Sequence, residues 1–417
     1  MNPEVLDKCM LARQAAKKLS GCPTAVKNRA LEKIAQALEN NKKDIIEANK
    51  KDLDRLQKEE HYSDAFYDRL LLNEERIVDM AAGLKDIAAL RDPVGEVTRM
   101  WKRPNGLEIG QVRVPIGVVA IIYEARPNVT IDAAGLTLKT GNAVILRGSS
   151  EALNSNRALV NLARESLLKL DLPEGSAALI EDTGRAAAMD LMKANQYLDL
   201  LIPRGGPSLI NTVINNSSVP VIQTGAGNCH VYIDSKADLN QAVAITINAK
   251  VQRPGVCNAL ETLLVHKDIA SSFLPKILPE LMKLGVEIRG CPVTKTFSPE
   301  VKAASEEDWS TEYLDLILAV KVVEDLDQAV EHINSFGTGH SEAIITDSYS
   351  RSRKFLARVD AAAVYVNAST RFTDGSAFGL GAEMGISTQK LHVRGPMGLE
   401  SLTTLKYFIF GSGQIRE

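Results

Sequence analysis

Between residues 116 and 233, short unbroken apolar runs alternate with longer stretches whose apolar residues recur every three or four positions. The runs fall at 117–122, 142–146, 177–180 and 198–202, and the helical patterns at 129–138, 152–170, 186–194 and 209–215. A strand reads as a continuous apolar run when helices cover both faces of its sheet, which is the situation of a parallel sheet. The series therefore predicts an α/β fold whose ligands gather at the carboxyl ends of the strands. A second series follows, with strands at 231–233, 261–265, 316–323, 343–346 and 363–366 and helices at 239–249, 269–284, 326–334 and 350–359. The stretch 291–311 is polar and reads as irregular. Residues 3–91 read as helical almost throughout, with Asn73 as an N-cap ahead of Glu74 and Glu75.

Composition narrows the function. Lys and Arg number 49 against 52 Asp and Glu, a formal charge of −3, so no excess of positive charge suits nucleic acid or a membrane surface. Five scattered cysteines without a Cys-x-x-Cys pair argue against a disulfide framework and a structural metal site. No apolar run approaches membrane-spanning length, and the first residues lack the apolar core of a signal peptide. The expectation is a soluble protein of a reducing compartment, the cytoplasm.

Two segments look suited to pairing. Residues 97–115 alternate polar and apolar residues around Asn105-Gly106, a β-hairpin whose edge needs cover. The tail 402–410 is β-prone and apolar, and reads as pairing with another element across subunits.

Three stretches could carry chemistry. Pro254-Gly255-Val256-Cys257 puts a thiol on a sharp turn just ahead of a strand-like run. Such a turn leaves backbone N–H groups able to meet a reacting oxygen, while the plainer reading is a small buried hydrophobe. Arg147-Gly-Ser-Ser150 and Arg204-Gly205-Gly206 follow strands and precede helices. They offer close backbone approach and unpaired helical N–H groups to a phosphate, or they are only tight turns. No Gly-x-Gly-x-x-Gly is present.

Tyr123-Glu-Ala-Arg-Pro-Asn128-Val-Thr and the Cys257 turn resemble the oxyanion and catalytic-cysteine segments of the aldehyde dehydrogenase superfamily. Three further stretches, 331–342, 364–375 and 381–396, are similar to the γ-glutamyl phosphate reductase branch of it. The resemblance covers nearly the whole chain. It implies two parallel-sheet α/β domains and an oligomerisation arm. The cofactor domain would comprise 1–102, 116–230 and 367–398, the catalytic domain 231–366, and the arm 103–115 and 399–417.

Residue by residue, the resemblance makes Cys257 the nucleophile and Asn128 its oxyanion donor. Arg147 and Ser150 fall where many relatives grip the adenosine ribose, Gly205 and Gly206 near the pyrophosphate, and Glu312 on the nicotinamide ribose. Arg126, Arg253, Arg371, Arg394 and His340 are candidates to meet an anionic substrate. Aldehyde-oxidising relatives carry a glutamate base where this chain reads Ile222-Gln-Thr-Gly-Ala-Gly-Asn228, without a carboxylate. A thioester hydrolysed by water needs that base and one exchanged with phosphate does not. Ser150 in place of a carboxylate, with Arg147 nearby, leans toward NADPH over NADH.

The expectation is thus NADPH-dependent reduction of L-glutamyl 5-phosphate through a cysteine thioester, in proline biosynthesis. The alternative is another small aldehyde or acyl phosphate. The resemblance further implies a homodimer or homotetramer, functional coupling to glutamate 5-kinase, and no metal.

Overall fold

Four strands, each almost wholly apolar, form a parallel sheet in the order Ala177–Leu179, Ala143–Arg147, Val118–Tyr123, Leu200–Arg204. All six residues of Val118–Tyr123 are buried, as a strand flanked on both edges and both faces must be. From this strand the chain moves outward through 143–147 to 177–179, then returns to add 200–204 on the opposite edge. The order therefore reverses beside Val118–Tyr123, where crevices for ligands open in doubly wound sheets. The helix Pro127–Lys139 follows the first strand and Pro207–Asn216 follows the last.

This sheet belongs to the first of two units into which the chain divides, Met1–Thr224 with Gly379–Gly385 and Met397–Glu417. The second comprises Gly225–Phe378 and Ile386–Pro396. The structure is a computed structural model and describes residues 1–58 and 64–416. Of the helical span expected over 3–91, residues 59–63 lie outside the described residues, as does residue 417 of the tail. The described part folds into the helices Pro3–Leu19, Thr24–Asn40, Lys42–Gln57, Asp64–Leu70 and Glu74–Ala89. Asn73 caps the last of these, its Oδ1 accepting the Arg76 N–H at 2.8 Å.

The hairpin forms from Val97–Lys102 and Glu108–Pro115. Its second strand pairs antiparallel with the tail strand Thr403–Phe410, from Thr403 opposite Pro115 to Phe410 opposite Glu108. The tail, expected to pair across subunits, thus finds its strand partner within the same chain. Met100, Tyr407, Ile409 and Phe410 remain exposed on this small sheet.

The second unit holds a seven-stranded parallel sheet. Its order is Lys302–Ala303, Glu287–Gly290, Ile317–Val323, Leu260–His266, Cys229–Ile233, Ser341–Ile345, Ala363–Val366. Every residue of Leu260–His266 is buried, and Val231, Leu263, Val265, Phe273, Ile277, Leu318 and Val320 form the main core around it. Glu287–Gly290 and Lys302–Ala303 went unread in the sequence. Both are short, the second a two-residue exposed strand at the sheet edge and the first lying just inside it with only Ile288 and Gly290 buried, so no apolar run betrays them. Among the described residues no helix is long and apolar enough to cross a membrane, and no His, Cys, Asp and Glu group could hold a metal ion.

Candidate active site

In the second unit Cys257, Glu312 and His340 each precede one of the central strands, while Arg371 and Arg394 follow the last strand of that sheet, Ala363–Val366. Cys257 lies in the turn between the helix Leu239–Val251 and the strand Leu260–His266, and its residue is half-buried. The turn is clamped on several sides. Asn258 Nδ2 donates to the carbonyls of Thr373 at 2.8 Å and Arg371 at 3.3 Å, and Thr370 Oγ1 returns a bond to the Asn258 carbonyl at 2.8 Å. The Cys229 thiol donates to the Cys257 carbonyl at 3.2 Å.

Gly227 fits against that same carbonyl so closely that a Cβ there would stand 1.4 Å from the Cys257 oxygen. Only glycine permits this approach of backbone to backbone. The Gly227 N–H then donates to Glu312 Oε1 at 2.7 Å, so the candidate ribose residue and the cysteine turn share one glycine. Burial raises the Glu312 carboxyl above its ordinary value, and the Gly227 bond opposes that.

Behind Glu312 lies a charged pair that the sequence did not announce. Lys250 Nζ and Glu261 Oε2 meet at 2.6 Å, both fully buried. Burial pushes Glu261 up to about 7 and Lys250 down, and their attraction opposes both changes. Glu261 Oε1 also accepts the Leu314 N–H at 3.1 Å, which ties down the loop carrying Glu312.

Arg371 and Arg253 stand close enough to Cys257 to affect one another electrostatically. Burial, then the neighbouring Arg253 charge, lowers Arg371, while the Cys257 sulfur pulls it the other way. Arg371 Nε donates to Gln252 Oε1 at 2.7 Å, leaving the rest of a half-buried guanidinium beside the thiol. Arg394 is instead paired with Asp360 at 2.8 Å. His340 is wholly buried, its Nδ1 2.8 Å from Ser341 Oγ and 3.7 Å from Cys229 Sγ. Burial lowers it to about 4, so the ring is neutral near pH 7 and offers no cation to an anionic substrate.

In the first unit the candidates follow the strands. Asn128 sits in the first turn of Pro127–Lys139, exposed, with Nδ2 donating to Asp132 Oδ2 at 3.2 Å. Arg126 precedes the helix at its N-cap position. Gly205 and Gly206 open Pro207–Asn216, and the Gly206 N–H donates to Glu124 Oε2 at 2.9 Å. A Cβ on Gly205 would meet the Glu124 carboxyl carbon at 2.6 Å.

At the adjoining strand end, Arg147 donates to the Thr183 carbonyl and, at 3.4 Å, to that of Gly184. Its Nε and the Ser149 hydroxyl are buried with no partner among the described residues. Burial lowers Arg147, and the charges of Asp182 and Glu151 oppose that. Arg55, exposed on Lys42–Gln57, donates to the Ser150 carbonyl and adds a second cation to this loop. No motif marks Arg55, because the helix that brings it there ends over 90 residues earlier in sequence.

The family model described as the aldehyde dehydrogenase family matches residues 2–305 and 309–407. The chain belongs to the aldehyde dehydrogenase family. It is 62% identical to a gamma-glutamyl phosphate reductase of Moorella thermoacetica and 60% identical to one of Halothermothrix orenii, each over 99% of both chains. Its fold matches the crystal structure of gamma-glutamyl phosphate reductase from Thermotoga maritima with a TM-score of 0.97 at 51% identity. That match covers 99% of this chain and 100% of the other. An acetylating aldehyde dehydrogenase from Geobacillus thermoglucosidasius shares the fold, with a TM-score of 0.70 at 18% identity over 99% and 98% of the two chains.

The family uses nicotinamide cofactors. The residues of the first unit fit such a group. Glycines open a helix of ten residues at the strand-order reversal, and two orphaned polar atoms sit at the next strand end.

Proposed function

We propose that this protein reduces L-glutamyl 5-phosphate to L-glutamate 5-semialdehyde with NADPH, releasing phosphate, as a step of proline biosynthesis. The observation that carries the reading is the cysteine turn itself. A half-buried thiol stands beside Arg371 and Arg253, on a backbone clamped by Gly227 and Asn258, with no carboxylate in residues 222–228. The full-length likeness to the reductases of Moorella and Thermotoga supports the substrate.

In this mechanism the Cys257 thiolate attacks the acyl carbon, and the C–O bond to phosphate breaks with its electrons going to the leaving phosphate. Asn128 Nδ2 and the Cys257 N–H donate to the oxyanion that forms on the way. Arg371 and Arg253 neutralise the phosphate and the substrate carboxylate, with Arg126 beside Asn128 as a third cation. NADPH, when bound, supplies the hydride that reduces the thioester carbon. The resulting thiohemiacetal collapses, its C–S bond breaks, and Cys257 is regenerated as the aldehyde leaves.

Water would need a general base to compete at the thioester, and residues 222–228 supply none. Thr224, in that stretch, spends its hydroxyl on the Pro203 carbonyl at 3.1 Å. Gly205 and Gly206 would hold the cofactor pyrophosphate and Glu312 the nicotinamide ribose. Arg147, the Ser150 loop and Arg55 would take the 2′-phosphate. The exposed sheet of Glu108–Pro115 and Thr403–Phe410 is the surface for a homodimer or homotetramer. A cytoplasmic location and coupling to glutamate 5-kinase suit an unstable acyl phosphate passed between enzymes.

The test is the reverse reaction, L-glutamate 5-semialdehyde with NADP⁺, run with and without phosphate. The proposal expects turnover that requires phosphate and that falls at least about a thousandfold in Cys257→Ser. Turnover that ignores phosphate would instead favour an oxidising aldehyde dehydrogenase.

A further inference from the structure

Asn128 has a companion that the reaction described above does not use. Asp132 lies one helical turn further along Pro127–Lys139, so the two side chains share a face of that helix. Its Oδ2 accepts one hydrogen bond, the 3.2 Å contact from Asn128 Nδ2. Asp132 forms no ion pair among the described residues, and Arg204 acts on it only through its longer-range charge. Burial pushes its carboxyl up to about 6, with Asn128 and then Arg204 opposing. Asp132 is half-buried, so a substrate group can reach its carboxylate, and that carboxylate with a single neutral partner is open to a cation.

The substrate proposed above brings one. L-glutamyl 5-phosphate carries an α-ammonium whose nitrogen lies roughly 5 Å from the reacting acyl carbon when the chain is extended. Side chains four apart on a helix stand about 5–6 Å apart at their Cβ atoms. An acyl oxygen held by Asn128 would therefore leave the ammonium within reach of the carboxylate one turn away. Resting on the reading that Asn128 is the oxyanion donor, we propose that Asp132 binds the substrate α-ammonium and selects α-amino acyl phosphates and aldehydes over their deaminated analogues.

The contact also links recognition to catalysis. In the structure Asn128 Nδ2 is engaged with Asp132. The amide nitrogen has two N–H donors, so one can stay on Asp132 while the other meets the oxyanion, and Asp132 orients the amide as it holds the ammonium. Arg371 and Arg253 serve the anionic ends of the substrate, and Asp132 serves its one cationic group.

The experiment compares two aldehydes in the phosphate-dependent reverse reaction: L-glutamate 5-semialdehyde and 5-oxopentanoate, which has the same reacting end and no amino group. Wild-type protein, Asp132→Asn and Asp132→Glu are each assayed for kcat and KM. The assignment expects the wild-type preference for the amino aldehyde, as a ratio of kcat/KM, to fall at least about thirtyfold in Asp132→Asn. The loss should appear mainly in the KM of the amino aldehyde, and Asp132→Glu should restore part of the preference. Equal losses for both aldehydes would overturn the assignment, reducing Asp132 to a group that only orients Asn128. The two readings fail separately. Wild-type turnover that ignores phosphate rejects the acyl-phosphate reaction, whereas an unchanged preference with phosphate still required rejects Asp132 alone.

Discussion

The two parallel sheets of this chain present their chemistry from opposite ends. In the sheet around Val118–Tyr123, the residues of interest follow the strands: Asn128, Arg147, Ser150, Gly205 and Gly206. In the sheet around Leu260–His266 they precede them: Gly227, Cys257, Glu312 and His340. The difference has an electrostatic meaning. Beyond the carboxyl ends of strands, helices begin, and their unpaired N–H groups favour anions such as phosphate. Before the amino ends, helices finish, and Leu239–Val251 points its negative end toward the Cys257 turn. A thiolate there gains nothing from a helix N-terminus and depends on side-chain cations, which is the place Arg371 and Arg253 take.

The two ends also use glycine differently, and this gives the most drastic way to break the comparison. At Gly227 an added Cβ would collide with backbone, at Gly205 with the far end of the Glu124 side chain, which can swing away. Gly227→Ala should displace the cysteine turn, lowering kcat at least about a hundredfold and stability by about 1–3 kcal/mol. Gly205→Ala should cost only a few-fold, felt in the KM for the nucleotide. Steady-state kinetics and thermal melts of both variants check this, and equal effects would contradict it.

A milder probe addresses the carboxyl-end region. Arg55 donates to the Ser150 carbonyl and Arg147, three residues before Ser150, to that of Thr183, so replacing either with alanine should lower the preference for NADPH over NADH about tenfold. The ratio of kcat/KM for the two nucleotides measures it.

The smallest effect concerns acid stability. Every described histidine lies in the second unit. His340 is kept neutral by burial, at about 4 against an ordinary value of 6.5. Its ring favours the folded state fully above about 6.5, and that contribution is lost as pH falls toward 4, because the unfolded chain takes up the proton first. The span of about 2.5 pH units at roughly 1.4 kcal/mol each bounds the loss at about 3–4 kcal/mol. Denaturant melts between pH 7 and 4 should show a shallower decline in His340→Asn than in wild type.

Legibility in the sequence followed burial and locality. The strands buried on both faces announce themselves as apolar runs, and the thiol turn before Leu260–His266 stands out because Pro254 and Gly255 precede it. The short strands Glu287–Gly290 and Lys302–Ala303 do not, the second because it is an exposed edge and the first because it carries a single apolar side chain, Ile288. The buried Lys250–Glu261 pair was hidden for the opposite reason, being two charges in segments that read as ordinary helix and strand. Arg55 beside Ser150 depends on long-range packing, which spacing cannot reveal. Asp132 was within reach, because its i, i+4 relation to Asn128 is visible in the sequence. What the sequence lacked was the knowledge that among the described residues no ion pair meets it.

The central claim is that Cys257 exchanges phosphate for a thioester before any reduction. Mixing the protein with L-glutamyl 5-phosphate, generated in place by glutamate 5-kinase and ATP, without reduced nucleotide tests it directly. Intact-protein and peptide mass spectrometry should then find one glutamyl group on Cys257 per chain, formed with one phosphate released and absent in Cys257→Ser. An unmodified Cys257, with phosphate appearing only once NADPH is added, would contradict the account.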